Sequence, residues 1–479
     1  MPTTSCQEYT ALVLDLGGVL VNYSARNTVK VPANLIKSAL DSPDWYDYEK
    51  GLASEYECYT NICKTFGVDL ETWTEALEQM KEGVEINRLL ISSIRVLKQA
   101  DPRIKVLCLS NIPAPELDAL RGQIESWGIL DGFIASSDIQ QRKPDIAIYR
   151  KCLEIIGASA SSCIFVDDKI DRVVAAQSLG FKGIPFDNTD ELIRQLHNLF
   201  GDPVMRAKGF LQRNAKNLFC TLSTGQIQPD NYSQLVILQN TGDRNLVVLE
   251  SDGPTWNYFH RESPTLSMSN AAYPNDSDTT SLAMAVLEDM PMSSKLQARD
   301  EILSHLSPDG LPFCWLSKTR PRFCHVICAN VFRFFVINDW FEKLPGVYDF
   351  LCRMLETRAY LHGSRYYKNP DWFLYNLADL CARHPQDLQL QRMRDLLLEC
   401  VRERMGCNDN TLGAALRALS AQSLGLQSER DLKILLDQQQ LDGGWELTWL
   451  WGYGTKDVKI GSRGVVTAMA MNAIQRALV

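Results

Sequence analysis

Three short apolar runs in the first half of the chain each end on polar residues. Ala11–Leu14 runs into Asp15-Leu-Gly-Gly, KVLCL at 105–109 into Ser110-Asn111, and SCIFV at 162–166 into Asp167-Asp168. Helix-length amphipathic segments lie between them, among them 87–99 and 145–156. Short apolar runs alternating with helices predict a Rossmann-like α/β domain, a parallel sheet with crossover helices. Such a sheet binds ligands beyond the carboxyl ends of its strands, where these polar residues stand. From about Met205 onward the strand signals fade. Helical periodicity runs through 282–288, 324–335, 346–357, 388–404 and 411–423, which fits an all-α domain of paired helices, an α-α barrel. The Gly201-Asp202-Pro203 break separates the halves, so the expected domains are 1–203 and 204–479.

The chain has 479 residues, 45% hydrophobic and 22% charged, enough for two substantial cores. Its net charge of −9 argues against a nucleic-acid partner, which needs a basic stripe, but leaves phosphate substrates open. The opening MPTTSCQEY has no basic-then-apolar leader, and no apolar run reaches the roughly 18 residues of a membrane span. Fourteen cysteines follow no regular framework, so a cytoplasmic protein with reduced thiols is expected. Cys324, His325 and Cys328 lack a second ligand pair at zinc-site spacing and are expected as core residues.

The first chemical constellation comprises Asp15, Ser110, Lys143-Pro144 and Asp167-Asp168, with Asp171 one turn on. A carboxylate at a strand end can attack phosphorus. A hydroxyl near a helix start can hold phosphoryl oxygens, a lysine can neutralise developing charge, and further carboxylates can hold Mg²⁺. Each piece alone is bland, since an Asp after a strand is usually a turn residue. Their order resembles the haloacid dehalogenase superfamily over roughly residues 8–200, with a small helical cap at about 21–85. The resemblance implies a nucleophilic Asp15, with Ser110 and Lys143 in support. It also implies Mg²⁺ held by Asp15, the Gly17 carbonyl, Asp167 and Asp168. Phosphatases of that family carry a general acid/base Asp two residues after the nucleophile, where this chain has Gly17. Metal binding is expected to survive, but the leaving group loses its usual proton donor, help worth about 10²–10⁴-fold.

The second constellation is Asp276-Ser277-Asp278-Thr279-Thr280 ahead of an apolar helix. Read locally it is an N-cap with acidic residues at a helix start. Read chemically, it places an acid, a second carboxyl and hydroxyls within five residues, a set able to protonate an alkene in an apolar pocket. The pattern resembles the signature of class II terpene cyclases, which implies Asp278 as proton donor with Asp276 and Thr279 in support. Gln440-Leu-Asp-Gly-Gly-Trp445, Cys328-Ala-Asn330-Val331, Tyr366–Asp371 and Ile460–Gly464 are similar to segments of the same enzymes. The helical half holds seven of the ten Trp, compatible with a dry, π-lined cavity. Asp167-Asp168-Lys-Ile-Asp171 spells a diphosphate-ionising motif, but its strand-end context assigns it to the first constellation.

Together the halves resemble the drimane-type sesquiterpene synthases, which join these two domains. The resemblance implies protonation-initiated cyclisation of farnesyl diphosphate to a bicyclic diphosphate, then dephosphorylation to an alcohol of the drimenol or albicanol type. Lys459 and Arg463, with Mg²⁺, are the candidate anchors of the diphosphate. Three alternatives stand beside this reading. The first domain is inert and the product keeps its diphosphate; the chain is a phosphatase with a helical interaction domain; or it is a soluble epoxide hydrolase. The last needs a nucleophile elbow, which the helical half does not offer. Oligomeric state is not legible in the sequence.

Overall fold

A computed structural model describes residues 9–23, 30–261, 273–407, 410–452 and 458–478. Most of the N-terminal segment read for a leader lies outside the described residues. The chain forms two compact units, Met1–Gly201 and Asp202–Val479. The division precedes the expected 203/204 break because Asp202 caps the helix Pro203–Arg213, its carboxylate accepting from the Val204 and Met205 N–H groups at 2.8 and 3.0 Å.

In the first unit, β1 (Ala11–Leu14), β2 (Lys105–Ser110), β3 (Gly132–Ala135), β4 (Cys163–Asp167) and β5 (Lys182–Pro185) form one parallel sheet in the order β3-β2-β1-β4-β5. Every residue of β1 and β4 is buried, because crossover helices cover both faces of such a sheet. Leu14 pairs with Cys108 on one side and Val166 on the other. That register brings the ends of β1, β2 and β4 to one edge. Beyond β1, a short antiparallel ribbon of Val21–Asn22 with Glu85–Ile86 brackets the helices Ala33–Leu40, Pro43–Glu49, Glu55–Phe66 and Leu70–Glu82. These pack around their own core, in which Ile62 and Trp73 are fully buried.

In the second unit, six helices form a closed inner ring: Asn231–Thr241, Ser277–Val286, His325–Val336, Asp371–Arg383, Thr411–Ser423 and Arg463–Ala477. Each packs on the next, and the last packs on the first. All twelve residues of His325–Val336 are buried, as expected of a helix surrounded by others. The outer helices Pro203–Arg213, Pro345–Glu356, Gln391–Arg404 and Glu429–Gln438 each bury one face. The unit is not all-α. Cys220–Leu222, Ile227–Gln228, Trp449–Gly452 and Lys459–Gly461 form a four-stranded antiparallel sheet. Strands of two to four residues are too short to display alternation in sequence.

The Gln440–Trp445 segment is a clamp. The Trp445 indole donates to the Leu435 carbonyl at 2.8 Å, Arg206 donates to the Gln440 carbonyl at 2.7 Å, and Asp442 pairs with Arg463 at 3.0 Å. The clamp therefore ties one outer helix to the first helix and the last. Gly443 sits at φ +88, and a Cβ there would lie 2.2 Å from the Arg206 carbonyl oxygen. Left-handed strain alone costs about 1–3 kcal/mol, so Gly443→Ala is expected to lower the Tm of this unit by roughly 5 °C or more in a thermal melt.

The thirteen cysteines among the described residues are free thiols, most of them buried. Cys324, His325 and Cys328 are buried, and His325 packs edge-on against Phe373 at 5.4 Å. No helix among the described residues is long and apolar enough to cross a membrane.

Candidate active sites

In the first unit Asp15 leaves the end of β1 and is almost fully buried. Lys143, fully buried, places its ammonium 2.8 Å from Asp15 Oδ1 and 2.6 Å from Asp167 Oδ2. Asn111 positions that lysine: its amide donates to the Lys143 carbonyl at 2.9 Å and accepts from the Lys143 N–H at 2.8 Å. Ser110 precedes it, buried at the end of β2. Arg172, on the helix after Asp168, reaches Asp15 Oδ2 at 3.0 Å and Asp167 Oδ1 at 3.6 Å. Burial pushes the Asp15 carboxyl up to about 6, against the pull of Lys143. Burial opposes the ionisation of Asp167 as well, but Lys143 and Arg172 outweigh it and hold that carboxyl low.

Asp15, Asp167 and Asp168 offer carboxylate oxygens that all lie within 4.8 Å of one another. An all-oxygen donor set of this span fits a hard divalent cation. Gly18 lets the chain pass closely: it has φ +81, and a Cβ there would meet the Asp168 carboxyl at 2.8 Å. At Gly17 a Cβ would meet only the Tyr23 ring, at 3.8 Å. A Cβ therefore fits at Gly17 without displacing a neighbour. The cap reaches this site through Glu49, whose carboxylate pairs with Arg142 at 3.0 Å and whose carbonyl accepts from Ser136 Oγ at 2.6 Å.

In the second unit the helix begins at Ser277, so Asp276 is its N-cap and Asp278 stands in its first turn. Asp276 Oδ1 accepts from the Thr279 N–H at 2.6 Å, while Asp276 Oδ2 and the Thr279 hydroxyl are buried with no protein partner. Asp278 is fully engaged. Its Oδ1 accepts from the Asn330 amide at 2.7 Å, and its Oδ2 accepts from the Tyr367 hydroxyl. Arg333 donates to the Asn330 amide oxygen at 2.8 Å and pairs with Asp379 at 3.0 Å. That contact fixes the amide orientation, so the Asn330 NH₂ must face Asp278. Burial pushes Asp278 up to about 6, against its donors Tyr367 and Asn330. Burial pushes Asp276 up to about 8, against the Thr279 N–H. Burial thus raises both carboxyls, Asp276 the further, while two donors stand ready for the conjugate base of Asp278.

Both carboxyls line a cleft walled by aromatic rings, including Tyr258, Trp315, Tyr367 and Trp451. Trp451 stacks on Trp372 with ring centroids 6.2 Å apart. The cleft also carries Arg320, Arg322 and Arg365. The Arg320 guanidinium lies 4.8 Å over the Tyr273 ring. No ion pair of these three arginines is found among the described residues. Lys459 and Arg463 are not in the lining. Lys459 is exposed on its strand, and Arg463 is spent on the Trp445 carbonyl at 2.8 Å and on Asp442. Sequence reasoning missed the cationic cluster, although Lys318-Thr-Arg320-Pro-Arg322 is a conspicuous basic run in an acidic chain.

Comparison with known proteins matches residues 9–180 to the haloacid dehalogenase-like hydrolase family and residues 204–338 to the sesquiterpene cyclase astC-like C-terminal domain. A drimenol cyclase of Aspergillus calidoustus is 33% identical over 97% of this chain and 87% of its own. A sesquiterpene phosphatase of Aspergillus oryzae is 29% identical over 41% of this chain and 99% of its own. A solved haloacid dehalogenase-family enzyme of Bacteroides thetaiotaomicron, complexed with magnesium and inorganic phosphate, aligns at 21% identity and TM-score 0.32 over 39% of this chain and 100% of its own. The near full-length likeness and the two domain matches agree: the chain belongs to the drimenol cyclase family, in which a haloacid dehalogenase-like domain precedes an astC-like sesquiterpene cyclase domain.

Proposed function

We propose that the chain cyclises farnesyl diphosphate to a bicyclic drimane-type diphosphate and then dephosphorylates it to the alcohol. The observation that carries this reading is the environment of Asp278: a buried carboxyl with two hydrogen-bond donors behind it, in an aromatic cleft that also holds three arginines. Asp278 gives its proton to the terminal alkene. The electrons of the next two alkenes close two rings, and the final cation loses a proton. Aromatic walls exclude water that would quench the cation. The diphosphate stays intact and is bound by Arg320, Arg322 and Arg365. Asp276 and Thr279 support the acid from the same helix turn.

In the first unit Asp15 attacks phosphorus, Lys143 neutralises the developing charge, and Ser110 holds a phosphoryl oxygen. Asp15, Asp167 and Asp168, with the Gly17 carbonyl, would hold Mg²⁺, which offsets negative charge on the phosphoryl group. Removing the outer phosphoryl group expels a phosphate monoester, which needs no proton. Removing the inner one expels an alkoxide, which does. Gly17 therefore favours a second reading, in which a phosphorylated bicyclic product is released.

Incubation of the protein with farnesyl diphosphate and Mg²⁺, followed by gas chromatography with mass detection, separates the readings. A bicyclic alcohol is expected without added alkaline phosphatase. Its appearance only after phosphatase treatment would establish the second reading. Farnesol alone in both samples would overturn the cyclase assignment for this substrate. Charge-assisted contacts are each worth roughly 1.5–3 kcal/mol, so Arg320→Ala and Arg365→Ala are each expected to raise the cyclase KM by roughly 10–100-fold. The kcat should change less than KM, because the alkene that takes the proton lies at the opposite end of the substrate from the diphosphate. Steady-state kinetics on each variant checks this.

A further inference from the structure

Two cations bridge the same pair of carboxylates in the first unit, through different oxygens. Lys143 is fully buried and holds Asp15 Oδ1 and Asp167 Oδ2. Arg172 holds the other two oxygens, Asp15 Oδ2 at 3.0 Å and Asp167 Oδ1 at 3.6 Å. Asp15 Oδ1 already accepts from Lys143 and the Leu16 N–H, so a divalent ion shared by Asp15 and Asp167 meets Arg172 at Asp15 Oδ2 and beside Asp167 Oδ1, which also accepts from the Lys169 N–H at 3.0 Å. The two cations differ in freedom. Lys143 is enclosed, whereas the Arg172 side chain keeps 18% of its surface exposed. Its backbone is anchored, with the Arg172 carbonyl accepting from the Tyr149 hydroxyl at 2.9 Å, so any movement is confined to the side chain.

From this geometry we infer that Arg172 couples metal binding to phosphate binding. The guanidinium and a divalent ion compete for the same face of the Asp15–Asp167 pair. When a phosphoryl group arrives, its oxygens give the guanidinium a planar, bidentate anion to move to. That releases Asp15 Oδ2 and Asp167 Oδ1 for the ion. Metal and phosphate then enter together, and the nucleophile stays capped by a cation until both are present. The inference rests on reading this site as a phosphoryl-transfer centre.

Mn²⁺ titrated calorimetrically into the full-length protein, with and without inorganic phosphate, tests it. Arg172→Met and Arg172→Gln both remove the charge, and the second keeps a hydrogen-bonding head should the first fold poorly. Coupling free energies between sites commonly correspond to about 5–150-fold. Each variant is expected to bind Mn²⁺ alone about tenfold more tightly than the parent protein, and to gain less from phosphate. Unchanged or weaker Mn²⁺ binding by both variants in the absence of phosphate would overturn the role of Arg172. If the parent protein binds neither Mn²⁺ nor phosphate, the phosphoryl-transfer reading itself fails.

Discussion

Asp278→Asn protein supplied with farnesyl diphosphate is expected to yield no bicyclic product, with or without phosphatase treatment, while its phosphatase activity on a simple phosphate ester is retained. The amide preserves the shape of the side chain but has no acidic proton to give. General acid help ranges up to about 10⁴-fold, or about 5.4 kcal/mol of barrier, and an alkene in a dry cleft has no alternative donor. The loss should reach at least that size. The same residue sets the pH response. As the proposed proton donor Asp278 must be protonated for cyclisation, and burial pushes its pKa up to about 6. Cyclase kcat/KM is therefore level below that value and falls tenfold per pH unit above it. Tyr367→Phe removes one of the donors that lower this pKa, so the falling limb moves to higher pH. The plateau drops as well, because a weaker acid protonates the alkene more slowly. A pH profile of each protein separates this effect from a purely structural one, which would lower the plateau without moving the limb.

Asp15→Asn should do the reverse. Cyclisation continues, and the bicyclic product accumulates with its phosphates and is released as alcohol only by added phosphatase. Loss of a nucleophile costs at least about 10³-fold, since only binding and electrostatic help remain. Phosphate release assayed beside product analysis reads both activities from one sample. Bicyclic alcohol formed by the Asp15→Asn protein alone would remove Asp15 from the nucleophile's role.

The elements that carry these residues were open to sequence reasoning because their logic is local. A strand end is marked by the last apolar residue, which brings Asp15, Ser110 and Asp167 to attention together. A helix start is marked by its cap, and the capping reading of the Asp276 segment is realised: Asp276 accepts the Thr279 N–H while Asp278, two residues on, takes other partners. The helix 411–423 was readable to the residue, because a long buried helix needs many consecutive helix formers. The small antiparallel sheet was not, since its strands are too short to show a pattern. Segments such as 328–331 and 366–371 stood out by resemblance, but nothing in them said what they touch.

Sequence alone determined the two-part organisation, the residue types at the strand ends, and the acid at the head of an inner helix. Each follows from chain neighbours, through the periods of strands and helices and the hydrogen-bonding needs of a helix end. Tertiary structure alone decided the partners. Asn330 and Tyr367 lie 52 and 89 residues from Asp278, and Arg172 lies 157 residues from Asp15. It also tied Arg463 to Trp445 and Asp442 and set Arg320, Arg322 and Arg365 in the cleft lining. A cation binds the nearest anion that packing leaves within reach, and packing is set by cores that no local window of sequence contains.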